Sequence, residues 1–242
     1  MNHGERKHSK FSASGAEKWM NCPGSVALSE GLPEVTSKYS IEGTRAHEVL
    51  ECLQTGKKHS GTREMEYYGV QAANFINKLK ASHKGAELMV ETRLALPFIH
   101  PDMFGTMDSA VVDHFGTLHV LDYKYGVGHY VSPVDNWQMK IYGMGLAHMF
   151  DWNFSKVKLW IIQPRHKSYR GPTFWELGIL DLKARVRVLK KAVERVEREP
   201  TTYAEGAWCY FCKAKGICPL KIQVKQAKTA SVFAGAPLVK YK

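Results

Sequence analysis

Between Glu87 and Lys124 the chain carries three short runs, Glu87 to Leu96, Gly105 to Val112 and Thr117 to Lys124, whose apolar residues alternate or cluster between turn signals. Such runs read as adjacent strands. The breaks at Pro97 to Pro101 and Asp113 to Gly116 suit hairpin-like connections, so a three-strand meander is the simplest arrangement. A glycine-rich loop, Tyr125-Gly126-Val127-Gly128, follows. Next come a helical pattern from about Val134 to Met149 and a β-rich run, Val157 to Ile162, closed by Gln163-Pro164.

Upstream, a helix beginning near Gly43 places Ala46, Val49, Leu50 and Leu53 on one stripe, and Tyr67 to about His83 reads as another helix. The order is then α, β, β, β, α, β, an α/β core. Ser14 and Glu17 match a capping box for a short helix that stops at Cys22-Pro23. A final helix, Asp181 to Glu199, carries Leu182, Val186, Leu189, Val193 and Val196 at helical spacing and ends at Pro200. From about Gln226 the chain is expected to be a loose tail.

Two short groups within the meander carry chemistry: Gly105-Thr106-Met107-Asp108 and Asp122-Tyr123-Lys124. Alternate residues of a strand share a face, so Asp122 and Lys124 project together while Tyr123 points the other way, and a neighbouring strand can bring Asp108 beside them. Converging carboxylates repel unless a cation neutralises them, and oxygen ligands suit Mg2+ or Mn2+. Such a metal binds a phosphate oxygen and lowers the pKa of a water, while a lysine steadies developing charge. Solvated charges on a surface hairpin would give the same spacing. Gln138 and Tyr142 share a helix face and can reach the same site. His47 borders an apolar stripe, where an imidazole serves packing or a metal. Glu91, on the first strand, either joins the acidic site or is a surface charge of an edge strand.

The chain has 34 Lys and Arg against 23 Asp and Glu, a formal net charge of +11, which points to a polyanion as partner and makes nucleic acid the first to test. No apolar run approaches the roughly 20 residues of a spanning helix, and the first residues lack an apolar signal core, so a cytoplasmic protein is expected. Lys156 to Arg170 contains Lys156, Lys158, Arg165, His166, Lys167 and Arg170 with no acid, a candidate phosphate track. Lys213, Lys215, Lys221, Lys225 and Lys228 form a second basic stretch. Trp208, Tyr210 and Phe211 lie beside it, able to stack on bases or to pack, with packing expected for Trp208 and Phe211.

Five cysteines, Cys22, Cys52, Cys209, Cys212 and Cys218, are an odd number with three crowded near one end, which suits a metal site better than a disulfide framework. Thiolates are soft ligands for zinc or iron. Cys52, between Glu51 and Leu53 on a helix, reads as a packing residue.

The ordered set Glu42-Gly43-Thr44-x-Ala46-His47-Glu48, Gly105-x-x-Asp108, Asp122-Tyr123-Lys124 and Gln138-x-x-x-Tyr142 resembles the RecB-like branch of the PD-(D/E)XK nuclease superfamily over roughly residues 40 to 145. The resemblance implies a restriction-endonuclease-like αβββαβ core and a metal-dependent DNA nuclease. In it His47, Asp108, Asp122 and the Tyr123 carbonyl are metal ligands, Lys124 is the catalytic lysine, and Gln138 and Tyr142 support the site. Pro101-Asp102 spells the family name, but it lies in a turn, and Asp108 is the better ligand. Cys22 with Cys209-x2-Cys212-x5-Cys218 is similar to the four-cysteine 4Fe-4S subgroup, which includes CRISPR-adaptation exonucleases and helicase-nucleases, and prolines follow Cys22 and Cys218 as in ferredoxin-type sites. Zinc is the alternative occupant.

These implications define one nuclease domain over 1–242, with a catalytic core at 40–180, cluster segments at 12–30 and 200–225 joined by the metal, and a tail at 226–242. The expected activity is Mg2+- or Mn2+-dependent hydrolysis of DNA, single-stranded or with free ends, by an exonuclease. A structure-specific endonuclease and a non-catalytic, metal-stapled DNA-binding module are the alternatives. By family analogy a recombination, repair or CRISPR-adaptation protein would be a partner, in a host cytoplasm if the chain is phage-encoded.

Overall fold

The computed structural model describes residues 9–33, 36–113 and 116–233. Its elements are α1 (Ala16–Asn21), α2 (Gly24–Ser29), α3 (Lys38–Thr55), α4 (Arg63–Ala81), β1 (Glu87–Ala95), β2 (Phe104–Asp113) and β3 (Thr117–Tyr123). They continue with α5 (Trp137–Met149), β4 (Lys156–Ile162), β5 (Thr173–Gly178), α6 (Ile179–Arg198) and α7 (Pro219–Phe233). The chain divides into two compact units, Met1–Ser14 with Thr36–Lys190, and Gly15–Val35 with Lys191–Lys242.

In the first unit the five strands form one sheet in the order β1-β2-β3-β4-β5. β1, β2 and β3 are the expected antiparallel meander, with Val90 opposite Ser109 and Ala110 opposite Val120. β4 runs parallel to β3, Leu121 facing Trp160, which requires a crossover, and α5 provides it. One face of the sheet carries Val111, Leu121, Tyr123, Trp160 and Ile162 against Ala46, Val49 and Leu50 of α3 and Met65, Ala72 and Ile76 of α4. α5 covers Leu94 and Leu159, and two glycines let its backbone come close: a Cβ at Gly145 would lie 3.0 Å from that of Leu94, and one at Gly143 would lie 3.3 Å from Leu159 Cδ2. Residues Met139 to Ala147 of this helix are all buried, Lys140 among them ion-paired with Asp135 at 2.6 Å.

Local chemistry sets the helix starts. Ser37 and Ser40 form a reciprocal capping box, so α3 starts five residues before Gly43, and Thr62 and Asn136 cap α4 and α5 through Met65 N and Met139 N. The box expected at Ser14 and Glu17 does not form: Ser14 lies within a 3-10 turn, and α1 starts after Gly15 with no side-chain cap. β5 adds an edge strand to the expected pattern, pairing antiparallel with β4. α7 carries helix to Phe233, where a loose tail had been expected from Gln226, and residues 234–242 lie outside the described ones. Among the described residues no helix is long and apolar enough to cross a membrane.

One core group titrates against folding. His119 on β3 is almost fully buried, and its Nδ1 accepts the Trp160 indole N–H at 3.2 Å. Burial, helped by His83 and Lys158 and opposed by Asp113, pushes its pKa down from 6.5 to about 4. The unfolded chain therefore takes this proton first. The His119 contribution is complete above pH 6.5 and is lost as pH falls towards 4, on the order of 2–3 kcal/mol. Urea melts at pH 7 and pH 4.5 are expected to show that loss in the intact protein, and a smaller one in His119→Asn.

Candidate functional site

Asp108 and Asp122 lie just beyond the last β2–β3 pair, Ser109 with Leu121. There the strands part, and the Tyr123 N–H, which would otherwise continue the ladder, donates to Asp108 Oδ2 at 2.7 Å. β3 keeps its pairing with β4 through Tyr123 and Ile162, and Lys124 N donates to Ile162 O, so only one side of β3 opens. The gap between β2 and β3 is where the functional side chains gather.

α3 brings His47 to this gap, its Nδ1 3.3 Å from Asp108 Oδ1 and its ring edge-on to Tyr123. Lys124 Nζ lies 2.8 Å from Asp122 Oδ2 and donates to Gln138 Oε1 at 3.2 Å. Gln138 Nε2 in turn donates to Asp122 Oδ1 at 2.9 Å and lies 3.4 Å from the Tyr142 hydroxyl. α5 thus holds the acid and the base of the Asp122–Lys124 pair with one amide. On β1, Glu91 sits at φ 44, a left-handed conformation that costs a residue with a Cβ of order 1–3 kcal/mol. One ligand atom each from Glu91, His47 and Asp108 lie within 4.8 Å of one another. Nothing in the sequence around Glu91 announces the backbone turn that aims it.

The charges respond to one another. Burial works against ionising Asp108, but His47 beside it holds its carboxyl below the usual range. Asp122 is pushed up, first by burial and then by Asp108, against the pull of Lys124. Burial works against the Lys124 ammonium, yet Asp122 and Asp108 outweigh it and raise the pKa. The same contest raises His47 to about 9, Asp108 and Asp122 overcoming its burial. At neutral pH His47 therefore carries a proton that neutralises the carboxylate beside it, the place a cation would take. Imidazole and carboxylate donors on a partly solvated rim fit a divalent metal of the Mg2+ or Mn2+ type.

The other sequence expectations divide. Asp102 lies in the turn before β2, its N–H bonded to His100 Nδ1; neither it nor Asp122, whose carboxylate is held by Lys124 and Gln138, is among the ligand atoms that cluster with His47. The acid-free run from Lys156 to Arg170 is not acid-free in space. Glu176 of β5 pairs with Lys156 at 3.3 Å and Lys158 at 3.4 Å, while Arg165 pairs with Glu42 at 3.0 Å and Glu64 at 3.3 Å and lies over the Tyr125 ring. His166 is buried. A strand unseen in the sequence, β5, thus brings Glu176 beside Lys156 and Lys158, and α3 and α4 bring Glu42 and Glu64 beside Arg165.

In the second unit Cys22, Cys209, Cys212 and Cys218 line one pocket with Tyr203, Trp208 and Lys221, and none forms a disulfide. The Ala204 N–H donates to Cys22 Sγ at 3.4 Å. The Lys221 ammonium, ion-paired with Glu205, interacts favourably with Cys209 and Cys218. Four convergent thiols with such donors fit an iron-sulfur cluster or zinc. Cys52 lies on α3 in the first unit, half-buried.

Comparison with known proteins gives one family. A model described as "Protein of unknown function (DUF2800)" matches residues 8–241. Among solved structures, a crystal structure described as a "Putative exonuclease" from Eubacterium rectale aligns with 100% of this chain and 96% of its own, at 10% identity and a TM-score of 0.49. The crystal structure of SSO0001 aligns with 85% of this chain and 96% of its own, at 14% identity and a TM-score of 0.37. Both likenesses are loose.

Proposed function

For this chain, which belongs to the DUF2800 family of proteins of unknown function, we propose a metal-dependent DNA nuclease that hydrolyses phosphodiester bonds, acting as an exonuclease. The observation that supports it most is the gathering of His47, Asp108, Asp122 and Lys124 where β2 and β3 part, with Gln138 bridging Asp122 and Lys124. A surface hairpin has no cause to bury a carboxylate and set half-buried charges of both signs around it.

The metal, Mg2+ or Mn2+, would be held by His47, Asp108 and Glu91, whose ligand atoms cluster, with Asp122 and the Tyr123 carbonyl as further donors, and would supply charge neutralisation on the phosphate and a more acidic water. The protein's own groups do the rest. Lys124 presents an ammonium, kept charged by Asp122, that donates to a phosphate oxygen as negative charge builds. Gln138 fixes the lysine's reach, and the Tyr142 hydroxyl, kept neutral by burial, closes the polar chain on α5. Asp108 orients His47 and fastens the Tyr123 backbone, so ligand and lysine stand on one rigid strand end.

The four cysteines of the second unit would hold a 4Fe-4S cluster, with zinc as the competing occupant. Its role would be structural, tying the segment of Cys22 to that of Cys209, Cys212 and Cys218.

End-labelled linear single- and double-stranded DNA and closed circles, incubated with Mg2+, Mn2+ or EDTA, test the proposal. Mononucleotide release from linear DNA with the ions, none with EDTA and intact circles are expected. Nicked circles would make it an endonuclease, and no cleavage of any substrate would contradict it.

A further inference from the structure

The second unit carries an exposed aromatic pair. Phe211, expected to pack around a metal, is 73% exposed, and Tyr210 beside it is 64% exposed. Their rings meet edge to face at 4.7 Å, and Lys215 Nζ lies 5.9 Å from the Tyr210 ring centre. Trp208 differs, being half-buried with its indole N–H bonded to Ala204 O. Tyr210, Lys215 and Lys221 line an open groove with Gly206, Ala207 and Cys209. Lys215 donates to the Tyr210 carbonyl, a neutral acceptor that leaves its charge in place. After Glu205 every charged residue of the chain, to Lys242, is a lysine.

We propose that this groove binds single-stranded nucleic acid, with bases stacked on Tyr210 and Phe211 and backbone phosphates beside Lys215, Lys221 being ion-paired with Glu205. Large exposed π faces set among lysines match a strand that offers both bare base faces and negative charge. A duplex offers only the charge, because its bases are stacked on one another. An acidic protein segment would satisfy the lysines but leave the two rings wet. The choice of nucleic acid rests on the nuclease reading of the first unit, and the platform names the form of DNA the protein receives.

Fluorescence anisotropy on the full chain, with no divalent metal added, tests it with labelled oligothymidylate, an abasic strand of equal length, a blunt duplex and poly-glutamate as competitor. The intact protein is expected to bind oligothymidylate about tenfold more tightly than the abasic strand, and Tyr210→Ala/Phe211→Ala to lose that advantage while its affinity for the abasic strand and the duplex changes less than about threefold. Equal binding of the thymidylate and abasic strands by the intact protein would overturn the platform, a comparison that needs no variant to fold. So would an unchanged thymidylate affinity in the double variant, an equal loss on all three probes, or displacement by poly-glutamate as efficient as by oligothymidylate. Cleavage assayed separately with Mn2+ keeps the two readings apart: base-dependent binding without cleavage sinks the nuclease and leaves the platform, and cleavage without base-dependent binding does the reverse.

Discussion

Lys124→Ala is expected to slow DNA cleavage about a thousandfold at saturating Mn2+ while DNA affinity stays within about threefold, and Asp122→Asn to lose at least as much. The two side chains are one device. Lys124 Nζ lies 2.8 Å from an Asp122 carboxylate that is almost fully buried, and Gln138 spans both. Removing the lysine takes away the only ammonium ion-paired with Asp122 among the described residues. The aspartate, already pushed up by burial, then binds a proton and weakens as a metal ligand. Removing the carboxylate leaves a half-buried ammonium without that pair, which costs stability as well as rate. Circular dichroism and single-turnover cleavage measured on the same preparations separate those two losses. Unchanged turnover in either variant would end the nuclease assignment.

Cys209→Ser and Cys218→Ser are expected to lose iron and to lower the stability of the second unit by several kcal/mol, because a metal that binds only the folded chain adds its binding free energy to folding. Helices α1 and α2 are six residues each, too short to hold shape alone. The pocket that gathers all four thiols is where such short pieces meet within this unit. Cys52→Ser is the matched control: it lies in the first unit, and neither metal content nor melting should move by more than a small packing effect. Iron and zinc content with the visible spectrum of anaerobically purified protein decides the occupant. A broad visible charge-transfer band with about four irons per chain supports the cluster. Zinc without iron supports the alternative, and protein with neither metal would remove the clamp.

The meander and the crossover helix were legible because a period of two and a largely apolar helix leave strong patterns, and the order of His47, Asp108, Asp122, Lys124, Gln138 and Tyr142 was legible as a set of motifs. What escaped has a physical reason in each case. β5 pairs only with β4, and its run from Thr173 to Gly178 is half polar, as an edge strand must be where one face is wet. That omission hid Glu176, which pairs with Lys156 and Lys158 of the basic run. For Glu91 the sequence left two readings open, site member or surface charge, and what it did not announce is the left-handed backbone at that position, where the carboxylate clusters with His47 and Asp108. α3 was placed late because its cap is a serine answered by another serine, where the familiar partner is glutamate.

Counting bound Mn2+ tests the account most directly. Electron paramagnetic resonance of the free aqueous ion, titrated with intact protein and with Asp108→Asn and Asp122→Asn, measures how much each withdraws from solution. At least one ion is expected to be held by the intact chain, with that binding lost from both variants while each remains folded. Equal binding by all three, or none by the intact protein, would contradict it.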